Sequence, residues 1–220
     1  NITAGGTPST TNPAFWGGNI RWMNSGELNL KFVYEVEGRI TDEGLKSSST
    51  KIIPLRSILI GLAGQGKTRG TVAMNMIELC TNQSIASIYP SESFNEYFLY
   101  HNLDSRYNEI RLLSTGDGGR GGLNLAILKS LQIPLPPLPE QQKIADVLST
   151  WDKAIQETDT IIKKLEARNK ALAFSLLTGK KRVKGFEGKW DNYKLEYFFE
   201  EYSSKPKQNT DLPVFTSSKN

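Results

Sequence analysis

Pro134-Leu135-Pro136-Pro137-Leu138-Pro139-Glu140-Gln141-Gln142 is a proline run that opens directly into a segment without Pro or Gly, continuing to Thr178 and closed by Gly179. Proline suits a helix start, where its missing N–H has no partner to lose. Glycine suits the position just past a helix end, where the chain turns left-handed. Between them, Ile144, Leu148, Trp151, Ile155, Ile162, Leu165, Leu172 and Leu176 recur on steps of four and three, and Thr158 and Asn169 are the interruptions. The spacing predicts a heptad seam over about five repeats, a coiled-coil helix rather than a core helix. At 1.5 Å per residue it extends roughly 58 Å. Packing against its own domain would leave much of such a helix overhanging, so the seam calls for a partner helix.

Upstream, residues 1–133 read as a strand-rich α+β domain. Short β-branched or aromatic runs recur between turn signals, at 19–23, 31–34, 57–60, 71–74 and 84–89. Helices are expected over 93–106, with Phe94, Tyr97, Phe98 and His101 on one face, and over 125–131. The expected organisation is therefore a domain over 1–133, a proline elbow and long helix over 134–179, and a remainder over 180–220. The proline run reads as a stiff elbow rather than a docking peptide, because it abuts a helix start.

Composition narrows the function. The single Cys80 rules out an internal disulfide and cysteine zinc clusters, which fits a reducing cytoplasm. The single His101 rules out histidine-pair metal sites and reads as structural. A net charge of +4 and a pI near 9.0 are compatible with a polyanionic partner without identifying one. No apolar run approaches the length of a membrane span.

Three stretches stand out as candidate binding loops. Gly61-Leu62-Ala63-Gly64-Gln65-Gly66-Lys67-Thr68 matches the phosphate-loop pattern. A working phosphate loop needs a helix N-terminus behind it, to aim amides and dipole at the phosphates. Here Arg69-Gly70-Thr71-Val72-Ala73-Met74 reads as a second strand, so the stretch is expected to be a hairpin whose tip carries Lys67, Thr68 and Arg69. Ser114 to Gly122 is a glycine-rich loop around Arg120, a residue type that reads guanine edges or phosphates. Gln83 and Asn124 are its companions as adenine readers; the alternative is that they satisfy backbone groups inside the domain. Gly5 to Asn12 is a turn-rich loop in which the hydroxyls of Thr7 and Ser9 suit phosphate contacts.

Gly5-Gly6-Thr7-Pro8-Ser9, Gly17-Gly18-Asn19-Ile20-Arg21-Trp22 and, most specifically, Ile133 to Ala145 with its downstream helix ending Leu176-Leu177-Thr178-Gly179-Lys180 resemble the specificity subunits of type I restriction-modification systems. The resemblance covers nearly the whole chain. It implies a non-catalytic subunit with two target recognition domains, each followed by a long helix; the helices pair antiparallel and each domain reads half of a split duplex DNA target. It also implies partners: modification subunits that use S-adenosylmethionine and a restriction subunit that uses ATP and Mg, with no cofactor of this chain's own.

Trp190-Asp191-Asn192-Tyr193-Lys194-Leu195-Glu196 resembles the opening of a further recognition domain, and residues 203–217 weakly echo the start of the first. The expectation is a piece of a two-domain subunit rather than a natural half-subunit. Pairing with a second copy through the helices would stand in for the missing helix. Two other classes stay in play: a nucleotide-binding enzyme resting on Gly61 to Thr68, and a coiled-coil scaffold with no nucleic-acid role.

Overall fold

A computed structural model describes residues 1–64, 66–114 and 122–199. The chain divides into two units, Asn1–Asp159 and Thr160–Asn220, and the boundary falls within the long helix.

The first unit is built on a five-stranded sheet. Its strands are β1 (Ile2–Ala4), β3 (Phe32–Val33), β5 (Ile58–Gly61), β6 (Val72–Asn75) and β8 (Ile85–Ile88), in the order β1-β8-β5-β6-β3. All neighbours are antiparallel except β3 and β6. A smaller sheet sets β2 (Trp16–Met23) between β4 (Arg39–Ile40) and β7 (Cys80–Thr81). The five expected strands are β2, β3, β5, β6 and β8.

β5 and β6 are buried along their whole length. That is why their sequences are continuous apolar runs rather than alternations: each face of the sheet is covered. Ile58, Ile60, Val72, Met74 and Ala86 pack on Leu99, Tyr100, Leu103, Ile110 and Leu128 from the helical side. Leu59, Ala73 and Ile85 face the opposite way, onto Met23, Leu28, Val33, Val36, Ile53 and Leu79.

The helices are α1 (Asp42–Lys46), α2 (Glu96–Ser105), α3 (Tyr107–Leu112), α4 (Leu125–Ser130) and α5 (Leu138–Leu177). Asn95 caps α2 by accepting from the Phe98 N–H at 2.9 Å. The chain breaks at Arg106 and resumes as α3, so the single helix expected over 93–106 is followed at once by a second.

The long helix starts at Leu138, with Pro139 in its first turn, and ends as anticipated: Gly179 takes φ +71 and its N–H returns to the Leu176 carbonyl. Its first turns dock on the unit through Gln141 and Ala145, which are buried. Gln141 Nε2 donates to the Pro136 carbonyl at 2.7 Å, and its Oε1 accepts the Asn95 N–H at 2.9 Å. One side chain thus ties the proline elbow to the start of α2. His101 Nε2 lies 3.4 Å from Asp152 Oδ2 two turns further on.

The docked face, Gln141 and Ala145 with half-buried Ser149 and Asp152, is rotated from the predicted seam. Of the seam, Ile144 and Leu148 border α2 beside Phe98 and His101. Beyond the docked turns Trp151, Ile155, Ile162, Leu165 and Leu172 are 41–67% exposed, and Leu176 is half-buried.

In the second unit Arg182 lies over the Trp190 ring at 4.8 Å and Lys180 over Phe174 at 4.8 Å. Tyr193 and Tyr197 stack at 4.9 Å around a 3-10 turn at Leu195–Tyr197. Residues 203–217, the weak echo of the first domain, lie outside the described residues. Among the described residues no helix is long and apolar enough to cross a membrane.

Candidate nucleic-acid interface

Strand register gathers the candidate loops. Ala4 at the end of β1 sits opposite Ala86 near the start of β8, Gly61 at the end of β5 opposite Ile85, and Ile60 opposite Val72 at the start of β6. The described stretches that leave these strand ends, 5–12, 62–64, 66–71 and 82–84, therefore emerge at one end of the five-stranded sheet. Leu123 joins them there, its N–H donating to the Leu62 carbonyl at 2.9 Å. Backbone loops collected on a rigid sheet end are the usual platform for a binding surface.

The Gly-Lys stretch is the expected hairpin. β6 runs antiparallel to β5, closed by Gly61 N–H to the Thr71 carbonyl and Gly70 N–H to the Gly61 carbonyl, both 2.9 Å. A methyl group at Gly61 would collide with the Thr68 carbonyl oxygen, so the crossing needs a glycine. The loop is propped from below by α3: Tyr107 Oη donates to the Lys67 carbonyl at 3.1 Å and Arg111 Nη1 to the Gly66 carbonyl at 2.6 Å. A strand, not a helix, follows the motif, so the helix-terminal field of a phosphate loop is missing.

Lys67 is exposed at the tip and Thr68 half-buried. Arg69 departs from expectation: it is 6% exposed, not a cation at the tip. The chain turns inward through the Thr71 N–H to Thr68 carbonyl bond and through Gly70 at φ +81, which carries position 69 into the domain.

Thr7 and Gln83 meet, Thr7 Oγ1 donating to Gln83 Oε1 at 2.5 Å. Ser9 is exposed, its hydroxyl 2.9 Å from that of Thr11 and its carbonyl accepting from Trp16 Nε1 at 3.1 Å. Asn124 takes the structural alternative. Its Oδ1 accepts the Ile127 N–H at 2.9 Å and caps α4, so that acceptor is committed to the helix rather than to a base. Arg120, with Gln65 and the rest of its glycine loop over 115–121, lies outside the described residues.

Cys80 is not set up as a nucleophile. Burial pushes the Cys80 thiol up to about 11, which keeps it protonated and inert. Among the described residues no group of His, Cys, Asp and Glu could hold a metal ion.

The model of the type I restriction modification DNA specificity domain matches residues 1–167. The chain belongs to that family. This specificity-domain chain is 30% identical over 170 residues to the specificity subunit of the type I restriction enzyme EcoR124I/EcoR124II of Escherichia coli, a match that covers 76% of this chain and 42% of that protein. It is 33% identical over 159 residues to the MjaIX specificity subunit of Methanocaldococcus jannaschii, covering 70% of this chain and 36% of that one. The chain thus spans about two fifths of the length of these relatives. The fold is shared with the S subunit of a type I restriction-modification system from M. genitalium, at TM-score 0.57 and 19% identity over 80% of this chain and 42% of that one. The HsdS subunit from Thermoanaerobacter tengcongensis matches at TM-score 0.51 and 19% identity, over 71% of this chain and 36% of that one.

Several residues that shape the specificity domain escaped the sequence reading. The Trp22 indole holds the Gly6 carbonyl at 3.0 Å, and with Trp16 it staples the 5–12 loop onto β2. Tyr107 and Arg111 carry the Gly-Lys loop from α3. Gln141 had a signal that could have found it: a polar side chain placed directly after a proline run is the natural partner for the carbonyls that run leaves over. A groove of about 610 Å³ opens between α5 and the sheet edge, lined by Phe32, Arg56, Tyr97, Gln142, Asp146 and Asp152 among others.

Proposed function

We propose that this chain reads one half of a bipartite duplex DNA target as part of a type I specificity subunit, with residues 1–133 as the target recognition domain. The observation that carries the reading is the gathering of residues 5–12, 62–64, 66–71 and 82–84 at one sheet end, with Lys67 and Gln83 exposed there. Lys67 supplies phosphate affinity, and the polar side chains beside β1 and β8 supply base contacts. Residues 134–179 form the elbow and spacer helix, and residues 180–220 form the linker and opening of a second recognition domain.

The chain does no chemistry itself and works in the cytoplasm. S-adenosylmethionine, ATP and Mg belong to the modification and restriction subunits that dock on it. The exposed seam from Trp151 to Leu172 supports antiparallel pairing with a second helix, either the other half of a full subunit or a second copy of this chain.

The test is binding to labelled duplex DNA across a salt series. The logarithm of the binding constant should fall linearly with the logarithm of salt concentration, and Lys67→Ala should weaken binding and flatten that slope by about one unit. If duplex DNA is not bound at low salt, while ATP is bound and lost in Lys67→Ala, the nucleotide reading replaces this one.

A further inference from the structure

Thr7 and Gln83 lie far apart in sequence, yet both are held firmly where they meet. On one side Gly5 N–H bonds the Ile85 carbonyl at 3.2 Å and Gly6 N–H the Thr81 carbonyl at 2.8 Å. A methyl group at Gly5 would collide with backbone oxygens of Thr81 and Asn82, so this close approach is available only to glycine. On the other side Asn82 N–H bonds the Met23 carbonyl at 3.0 Å, Asn82 Oδ1 accepts the Ser84 N–H at 3.1 Å, and the Ser84 carbonyl accepts the Leu62 N–H at 2.8 Å. Gln83 therefore projects from a backbone pinned on both flanks. Its side chain is exposed, and its Oε1 takes the Thr7 hydroxyl proton at 2.5 Å. Its Nε2 has no partner among the described residues.

We propose that Thr7 sets the orientation of the Gln83 amide, so that Gln83 reads a DNA base edge through its N–H₂ group alone. The inference rests on the DNA-reading function proposed above. A free glutamine can turn over and present either side, and it reads adenine by using both, accepting from N6 and donating to N7. In the structure the Thr7 hydroxyl donates to Oε1, which holds the oxygen toward Thr7 and turns the two N–H bonds outward. In the major groove two acceptors side by side, N7 and O6, belong to guanine; cytosine offers only the N4 donor. Gln83 is then the specificity-determining residue at one guanine, and Thr7 is its positioning residue.

The experiment is selection from a randomised duplex pool by the full chain, for wild type, Thr7→Val, Thr7→Ser and Gln83→Glu, followed by titration of single-base variants of the selected duplex. Wild type should enrich guanine at one position. Gln83→Glu, which can only accept, should move that position toward cytosine. Thr7→Val should keep the melting temperature but lose about tenfold of the discrimination against adenine at the same position, and Thr7→Ser should restore it.

A preference unchanged in both Thr7→Val and Gln83→Glu overturns the proposal. So does a Gln83→Glu chain that binds all duplexes more weakly by one factor, the behaviour of a phosphate contact. Salt-dependent binding with unshifted preferences would defeat this inference alone, whereas absence of duplex binding by wild type would defeat the functional reading and this inference with it.

Discussion

Replacing Gln141 with alanine should destabilise the first unit by about 2–4 kcal/mol. The side chain is 1% exposed and makes two bonds to backbone: from Nε2 to the Pro136 carbonyl at 2.7 Å, and from the Asn95 N–H to Oε1 at 2.9 Å. Alanine leaves both groups without their partner in a partly buried place, at roughly 1–3 kcal/mol each. The partial exposure of the partners holds the sum toward the lower end.

The neighbouring Gln142 is the control. Its Oε1 also accepts from Asn95, through Nδ2 at 2.8 Å, but it is exposed, and Gln142→Ala should cost only about 0.5 kcal/mol. Urea denaturation followed by far-ultraviolet circular dichroism measures both, and the Gln141 variant should melt roughly 5–15 °C lower. A loss below about 0.5 kcal/mol, or equal losses in the two variants, would refute the view that Gln141 locks the elbow.

Asn124→Ala should cost about 1 kcal/mol through the lost α4 cap and leave DNA site preference unchanged; a changed preference with unchanged stability would return Asn124 to the interface. Burial holds the His101 imidazole below its usual 6.5, against the opposing pull of Asp152 and Asp104. The unfolded chain then binds the proton first, so stability should be greatest above that value and fall as pH drops through 6.5 toward the folded value. Denaturation at about pH 7.5 and about pH 5.5, with His101→Gln as reference, checks the sign; a gain in acid relative to the reference would contradict it. Leu165→Asp, on the exposed seam, should dissociate a helix-paired dimer in sedimentation at micromolar concentration. A wild-type monomer that stays helical and is indifferent to the substitution would assign the seam to another protein.

The long helix was legible in the sequence because everything that makes it is local. A period of side chains, a proline at one end and a glycine at the other are enough to specify a helix of this length, and its bounds moved by only two residues at the start and one at the end. The central strands were legible for a related reason: an apolar run bounded by turn signals has few other fates. The hairpin reading of the Gly-Lys loop held because β-branched residues, not helix formers, follow Gly70. By contrast β1, β4 and β7 are two or three residues long, and such strands exist only because a partner strand lies alongside.

The site was less legible than the fold. Lys67 and Arg69 look equivalent in sequence, yet one is exposed and the other buried, because the turn at Gly70 decides which way each points. Asn124 has the chemistry of a base reader, and the N–H of Ile127, three residues on in the first turn of α4, makes it a cap. The meeting of Thr7 with Gln83 has no local signal at all. It follows from the pairing of β1 with β8, which the sequence does not announce.

By itself, then, the sequence determined the elements with strong local period or punctuation: the helix, its elbow, the buried strands, and the family motif at the proline run. Only the tertiary structure decided which loops share the sheet end, which helix face docks and which stays exposed, and which polar side chains are spent on backbone. The physical reason is that propensity and capping act within a few residues, whereas strand order, burial and hydrogen-bond partners are set by chain segments that meet only when the core closes.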